Sequence, residues 1–373
     1  MEQVMQTNLL KGFVLLCVLL VGQSGFGQER HQLKLATPLE ATGAILDAFK
    51  SHDIVALAEG NHGNEQGHAF RLKLIRDPRF ARTVNDIVVE CGNSLYQNVI
   101  DRFMRGEDVP YGELRRVWQD TSVSNSIWDT PIYEEFFRTV REVNASLPAS
   151  RKLRVLLGDP PIDWNQIKSR DEWLAVLKQR DSFPAELIQR EVLAKHRRAI
   201  VIYGEGHFMR KNVFWDISNR TLAEQRFAKP FDNLIIRLER TSPRVFSIYT
   251  NTKSDLAAAQ PNVAGWQAPK LAIVAGTLLE HFQPWEAYIM VDPEKGIEEQ
   301  AHADPERSPT MAEQFDAILY LGPASSITMS KLPSVLCSDP GYLQMRSQRA
   351  VLTALPAQAA DAAMWTKQAC TDL

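Results

Sequence analysis

Cysteine is scarce, with four in 373 residues and no Cys-x-x-Cys pair, which excludes a cysteine-based zinc site. The chain has no Gly-x-x-x-x-Gly-Lys-Ser/Thr phosphate loop and no Gly-x-Gly-x-x-Gly turn, and it lacks the paired histidines of His-Glu-x-x-His. An excess of one charge is missing too. The 42 Lys+Arg against 45 Asp+Glu leave a net charge of −3, so no broad field favours a nucleic-acid partner. Repeats of solenoid period and low-complexity tracts are absent. What remains is 45% hydrophobic and 23% charged, the composition of a folded globular protein rather than a disordered, collagen-like or coiled-coil chain.

One apolar run does occur, at 12–22 (GFVLLCVLLVG), preceded by Lys11 and followed by Gly25 and Gly27. It is short for a membrane-spanning helix and reads as a secretory signal, residues 1–27, with cleavage near Gly27. No later segment approaches 18 uninterrupted apolar residues, so no stable membrane insertion is expected once the signal is removed. The expected mature chain, 28–373, is exported, periplasmic or secreted, and forms a single domain. Cys91, Cys337 and Cys370 would remain in it. Cys337 and Cys370 could pair, closing a loop worth ~3–4 kcal/mol, whereas Cys91 follows a strand-like run and reads as a small apolar packing group.

Short aliphatic and β-branched runs recur along the chain. They are 54–58 (IVALA), 87–89 (IVV), 153–157 (LRVLL), 199–203 (AIVIY), 234–238 (LIIRL), 245–249 (VFSIY), 287–291 (AYIMV) and 317–321 (AILYL). Several are apolar throughout, as in strands covered on both faces. Amphipathic stretches at 66–76, 96–104, 133–144 and 173–179 alternate with the first four. This pattern predicts an α/β fold with a mixed, largely parallel sheet flanked by helices, and a helical insertion at about 92–148. The short 239–244 connection predicts an antiparallel hairpin between the fifth and sixth strands. The charged segment 292–313 reads as an excursion from the core, a surface loop or a lid.

The first four strands each run into acids or histidines: Glu59-Gly60-Asn61-His62, Glu90, Gly158-Asp159-Pro160-Pro161 and Gly204-Glu205-Gly206-His207. In open parallel sheets ligands bind beyond the carboxyl ends of the strands. If these strands are neighbours, Glu59, His62, Glu90, Asp159, Glu205 and His207 gather along one edge. Singly, each is an ordinary cap or core polar group. Together, clustered carboxylates need a cation, a proton or a histidine to compensate them. Such a set activates water in one of two ways. In the metal-free version a neutral His62 takes the proton while a glutamate orients its ring. In the other, Glu59, His62, Glu90 and His207 are the candidate ligands of Zn²⁺, Mn²⁺ or Fe²⁺. Glu65, Arg71, Asp159 and Glu205 are the expected substrate contacts, the substrate being a small molecule or a peptide. Gly92-Asn93-Ser94-Leu95-Tyr96 is near a nucleophile elbow, but Tyr96 replaces the second glycine and Ser94 reads better as a helix cap.

The segment 57–65 (LAEGNHGNE), Glu90 at the end of the next strand and the later Gly-x-Gly-His resemble the erythromycin esterase-like group, within a superfamily that includes the haem-uptake ChaN proteins and the Tiki/TraB-type proteases. The resemblance runs from about residue 40 to 325 at uneven strength. It implies that His62 is the general base, flanked by Glu59 and Glu90, with His207 opposite. It leaves metal dependence open, because members differ on it. The expected activity is hydrolysis of an ester or amide. The alternative is a haem- or metal-binding protein without turnover, in which His62, His207 or Tyr203 would be axial ligands.

Overall fold

Apolar side chains at every position of Ile54–Ala58 (β2) and Ala199–Tyr203 (β5) make strands suited only to a sheet covered on both faces, and every residue of both is buried. The structure is a computed structural model that describes residues 33–211, 215–216, 232–242, 244–284, 287–291, 298–302, 309–354 and 370. In it β2 and β5 pair in parallel at the centre of a sheet completed by β1 (Leu39–Glu40), β3 (Asp86–Asn93), β4 (Arg154–Asp159), β7 (Val245–Asn251), β8 (Lys270–Ile273) and β11 (Ala317–Tyr320). The order is β1-β8-β11-β7-β2-β5-β3-β4. All pairings from β11 through β4 are parallel, and only β8 runs antiparallel to its neighbours β1 and β11. This is the mixed, largely parallel α/β fold expected from the sequence.

Alternation divides the core between the two faces. Val55, Leu57, Ile87, Val89 and Ile202 face one layer with the helices Ala41–Ala48 (α1), Glu65–Arg76 (α2), Gln97–Arg105 (α3) and Pro131–Ala145 (α4). Ile54, Ala56, Ala58, Val88 and Val201 face the other, against Ser182–Glu191 (α6) and Leu234–Thr241 (α7). A further helix, Arg170–Leu177 (α5), precedes α6, and Pro340–Thr353 (α8) follows the last strand. The helices α3 and α4 lie between β3 and β4, where the insertion was expected.

Three expectations are corrected. The run 234–238 is the start of helix α7, not a strand: Leu234, Ile235 and Leu238 are buried on one side, and Asn233 caps the helix by accepting from the Ile236 N–H. An aliphatic run this short fits both periods, and its cap decides between them. The 239–244 hairpin therefore does not form, and the antiparallel pairings come from β8. Finally, Ala287–Val291 (β9) joins Trp215–Asp216 (β6) and Glu298–His302 (β10) in a separate three-stranded sheet. The proposed signal at 1–27 and much of 292–313 lie outside the described residues.

The register positions the functional residues. Ala58 pairs with Tyr203, while Val89 lies beside both Ile202 and Leu157. Glu59 and Gly204 therefore leave the sheet beside Glu90, which lies within β3 rather than at the strand end expected from the sequence. A shift in register between Val89 and Asn93 lets Asn93 rejoin β4 at Asp159.

Candidate active site

The chain turns sharply after β2. Gly60 has φ +70°, and a Cβ there would lie 2.7 Å from the Thr252 side chain, so glycine alone fits. Asn64 caps α2 by accepting from the Gly67 N–H at 2.7 Å and donates to the Glu59 carbonyl at 2.8 Å. This turn brings His62 Nδ1 to 2.7 Å from Glu59 Oε2. Arg71, one turn and a half into α2, reaches the other Glu59 oxygen at 3.3 Å. Trp128 packs edge-on to the His62 ring, with centroids 4.6 Å apart.

Glu90 is the centre of the cluster. Its Oε2 accepts from the Gly204 N–H at 2.7 Å and lies 3.9 Å from His62 Nε2; its Oε1 pairs with Arg180 and lies 3.3 Å from His207 Nε2. His207 stands in the 3₁₀ turn Glu205–Phe208, with Nδ1 2.7 Å from Asp181 Oδ1. Gly204 is required here, since a Cβ would sit 2.9 Å from His62 Nε2.

These partners assign the protons. An ionised carboxylate only accepts, so His62 Nδ1 carries hydrogen toward Glu59. Its Nε2 is too far from Glu90 for a hydrogen bond, which leaves a lone pair free in the neutral ring. His207 donates from Nδ1 to Asp181, and its Nε2 lies 3.3 Å from Glu90 Oε1 as an ion pair rather than a hydrogen bond, so the ring between two carboxylates is an imidazolium. For His207 the titration tendency agrees. Burial pulls His207 down, but Asp181 and Glu90 raise it to about 9. His62 is also pulled down by burial, yet Glu90 and Glu59 hold it above its ordinary 6.5. Burial pushes Glu59 up, and Arg71 and His62 outweigh it, holding the carboxyl below the usual range. Glu90 is held well below the usual carboxylate range by Arg180 and both histidines, against the same burial. Asp159 is the exception, pushed up to about 7 by burial despite Arg180 and Ser122.

Of the expected site residues, Glu59, His62, Glu90 and His207 form one contiguous network. Asp159 joins at its side, 3.8 Å from Arg180 Nε, and accepts from the Ser122 N–H and hydroxyl at 2.6 and 2.5 Å. Being buried, it supports Arg180 rather than facing a substrate. Glu205 pairs with Lys253 at 3.0 Å on the more open side. Glu65 binds the Thr328 hydroxyl at 2.6 Å and touches neither histidine. Arg71 is buried as the partner of Glu59 rather than presented to a ligand. Asn93, not Ser94, caps the turn after β3. Tyr203 packs edge-on to His207 at 5.3 Å, and its buried hydroxyl has no hydrogen-bond partner among the described residues.

Sequence reasoning missed Arg180, Asp181, Trp128 and Ser122. Arg180 and Asp181 lie between two helices, where an Arg-Asp-Ser run signals only a turn and a cap. A metal fits this donor set poorly. Arg71 and Arg180 already neutralise Glu59 and Glu90, and His207 is held between the Asp181 and Glu90 carboxylates. Among the described residues no group of three or more His, Cys, Asp and Glu is arranged to hold a metal ion. Outside the site, Cys337 and Cys370 form a disulfide, as the sequence allowed, and Cys91 is free and buried.

No family model matches the chain, and no curated protein does. Among solved structures it is similar to a Bacillus cereus protein (12% identity, TM-score 0.49, covering 80% of this chain and 97% of that one). It is also similar to a succinoglycan biosynthesis protein (9%, 0.49, 77% and 94%) and to the ChaN protein of Campylobacter jejuni, described with cofacially bound haem (13%, 0.36, 60% and 94%). All three TM-scores lie below 0.5, and none of these likenesses bears on a ChaN, erythromycin esterase or Tiki relationship. What each of those proteins binds or makes is a property of that protein.

Proposed function

We propose that this protein hydrolyses an ester or amide of a small molecule or peptide, with His62 as the base that activates water and His207 as the acid that serves the leaving group. The observation that carries this reading is the asymmetry of the two imidazoles around Glu90. One offers a free Nε2 lone pair and the other an Nε2–H, on opposite sides of a single carboxylate. An acid–base pair needs two titratable groups held at one site, and both rings flank the Glu90 carboxylate.

The steps balance. His62 Nε2 takes a proton from water, whose oxygen forms a bond to the carbonyl carbon as the C=O π pair moves onto oxygen. Glu59 holds the resulting imidazolium through Nδ1–H. As the tetrahedral intermediate collapses, the bond from carbon to the leaving oxygen or nitrogen breaks, and His207 Nε2–H protonates that atom. Proton return from His62 to His207, by way of Glu90 or solvent, restores the start. The apolar run at 12–22 supports export as part of this reading, placing the reaction in the periplasm or outside the cell.

The test is a panel of esters and amides with the wild-type protein and His62→Gln, alongside a haem titration. Turnover by the wild type that falls ~10²–10⁴-fold in kcat in the variant is expected. Unchanged turnover in the variant removes the proposed base. No turnover together with a stoichiometric Soret band would replace the hydrolase with a haem-binding protein.

A further inference from the structure

Asp181 occupies the N-cap position of α6, where an aspartate ordinarily accepts from the free N–H groups of its own helix, yet its side chain makes no such bond. Its Oδ1 instead accepts from His207 Nδ1 at 2.7 Å and from the Leu234 N–H, at the start of α7, at 2.8 Å. The adjacent Arg180 pairs with Glu90 and lies near Asp159. One turn between α5 and α6 thus supplies the partners of both Glu90 and His207. Asp181 forgoes its local role and is itself held by two donors from distant segments. On its other side, the ring it grips meets Glu90 and Tyr203.

We propose that Asp181 is the positioning residue for His207, fixing the ring so that Nε2–H faces the reaction centre and is delivered to leaving groups that cannot depart without a proton. This rests on the hydrolase reading above. An aliphatic alkoxide leaves poorly unless protonated, whereas an electron-poor phenolate leaves unaided. A positioned acid therefore matters for alkyl esters and little for activated aryl esters. A carboxylate that merely stabilised the fold would affect both alike.

The experiment compares the full chain with Asp181→Asn and Asp181→Glu on the ethyl and 4-nitrophenyl esters of one acid. Asparagine is itself a good N-cap, and its oxygen still accepts from the Leu234 N–H, so the variant retains the local fold. In Asp181→Asn, kcat on the ethyl ester should fall ~10²-fold with KM unchanged, the 4-nitrophenyl ester should be nearly unaffected, and Asp181→Glu should recover part of the loss. Equal losses on both esters, or none on either, overturn the proposal. A second readout does not need turnover: the downfield proton resonance of His207 Nδ1–H, identified by its absence in His207→Gln, should move upfield in Asp181→Asn. If the wild type cleaves neither ester, the hydrolase reading fails and this resonance alone decides Asp181. An unmoved resonance overturns its role.

Discussion

His62 and His207 are the same residue in nearly the same local setting, each beside glycine just past a strand, and their roles diverge over a few tenths of an ångström. Glu90 lies 3.3 Å from the His207 Nε2 and 3.9 Å from that of His62, so its charge acts on His207 at closer range. The pH dependence follows with a definite sign. On the proposed mechanism activity requires neutral His62, so it rises as pH passes the value of that group, above 6.5. It requires charged His207, so it falls as pH passes about 9. A bell-shaped kcat/KM profile with these limbs is expected, and its alkaline limb should disappear in His207→Gln. A profile flat from pH 6 to 9 would contradict the assignment.

At the scale of elements, the site is made by strand ends in register and by the turns that follow them. The turn after β5 is the constraint that bears directly on His62. Gly204 has φ −58°, which any residue adopts, but an added methyl would meet His62 Nε2 at 2.9 Å and Cε1 at 3.0 Å. Gly204→Ala should therefore leave the thermal midpoint nearly unchanged while displacing the imidazole and lowering kcat ~10²-fold. Full activity in that variant would mean that His62 does not act from the position it occupies here. Gly60→Ala should behave oppositely, losing stability through its positive φ and the Thr252 contact, as thermal unfolding would report.

At the scale of the whole molecule, the C-terminal helix α8 holds one wall of the site. Arg346, 2% exposed, donates to Asp129 at 2.9 and 2.6 Å, and Tyr342 donates to the same carboxylate. Arg349 pairs with Asp120 at 2.5 Å and donates to the Gln119 carbonyl at 2.8 Å. The loop so clamped carries Ser122, which holds Asp159, and Trp128, which packs on His62. Removing one partner of a buried pair leaves the other charge without compensation. Arg346→Met should cost about 3–5 kcal/mol in denaturant unfolding, and adding Asp129→Leu should recover part of it. A loss below about 1 kcal/mol would show that the clamp contributes little.

The sequence by itself determined the parallel strands and the polar residues at their ends, because a covered strand is a continuous apolar run and its end is marked by the first acid or histidine. Ile54–Ala58 and Ala199–Tyr203, with Glu59 and His207 after them, were legible for that reason. The ambiguous runs were those of four or five residues, such as 234–238, where helix and strand periods coincide. Only the tertiary structure decided what compensates the carboxylates. Arg180 and Asp181 lie some 90 residues beyond Glu90, and Trp128 some 66 beyond His62. No local pattern encodes such distances, yet they set the charges and packing around both imidazoles.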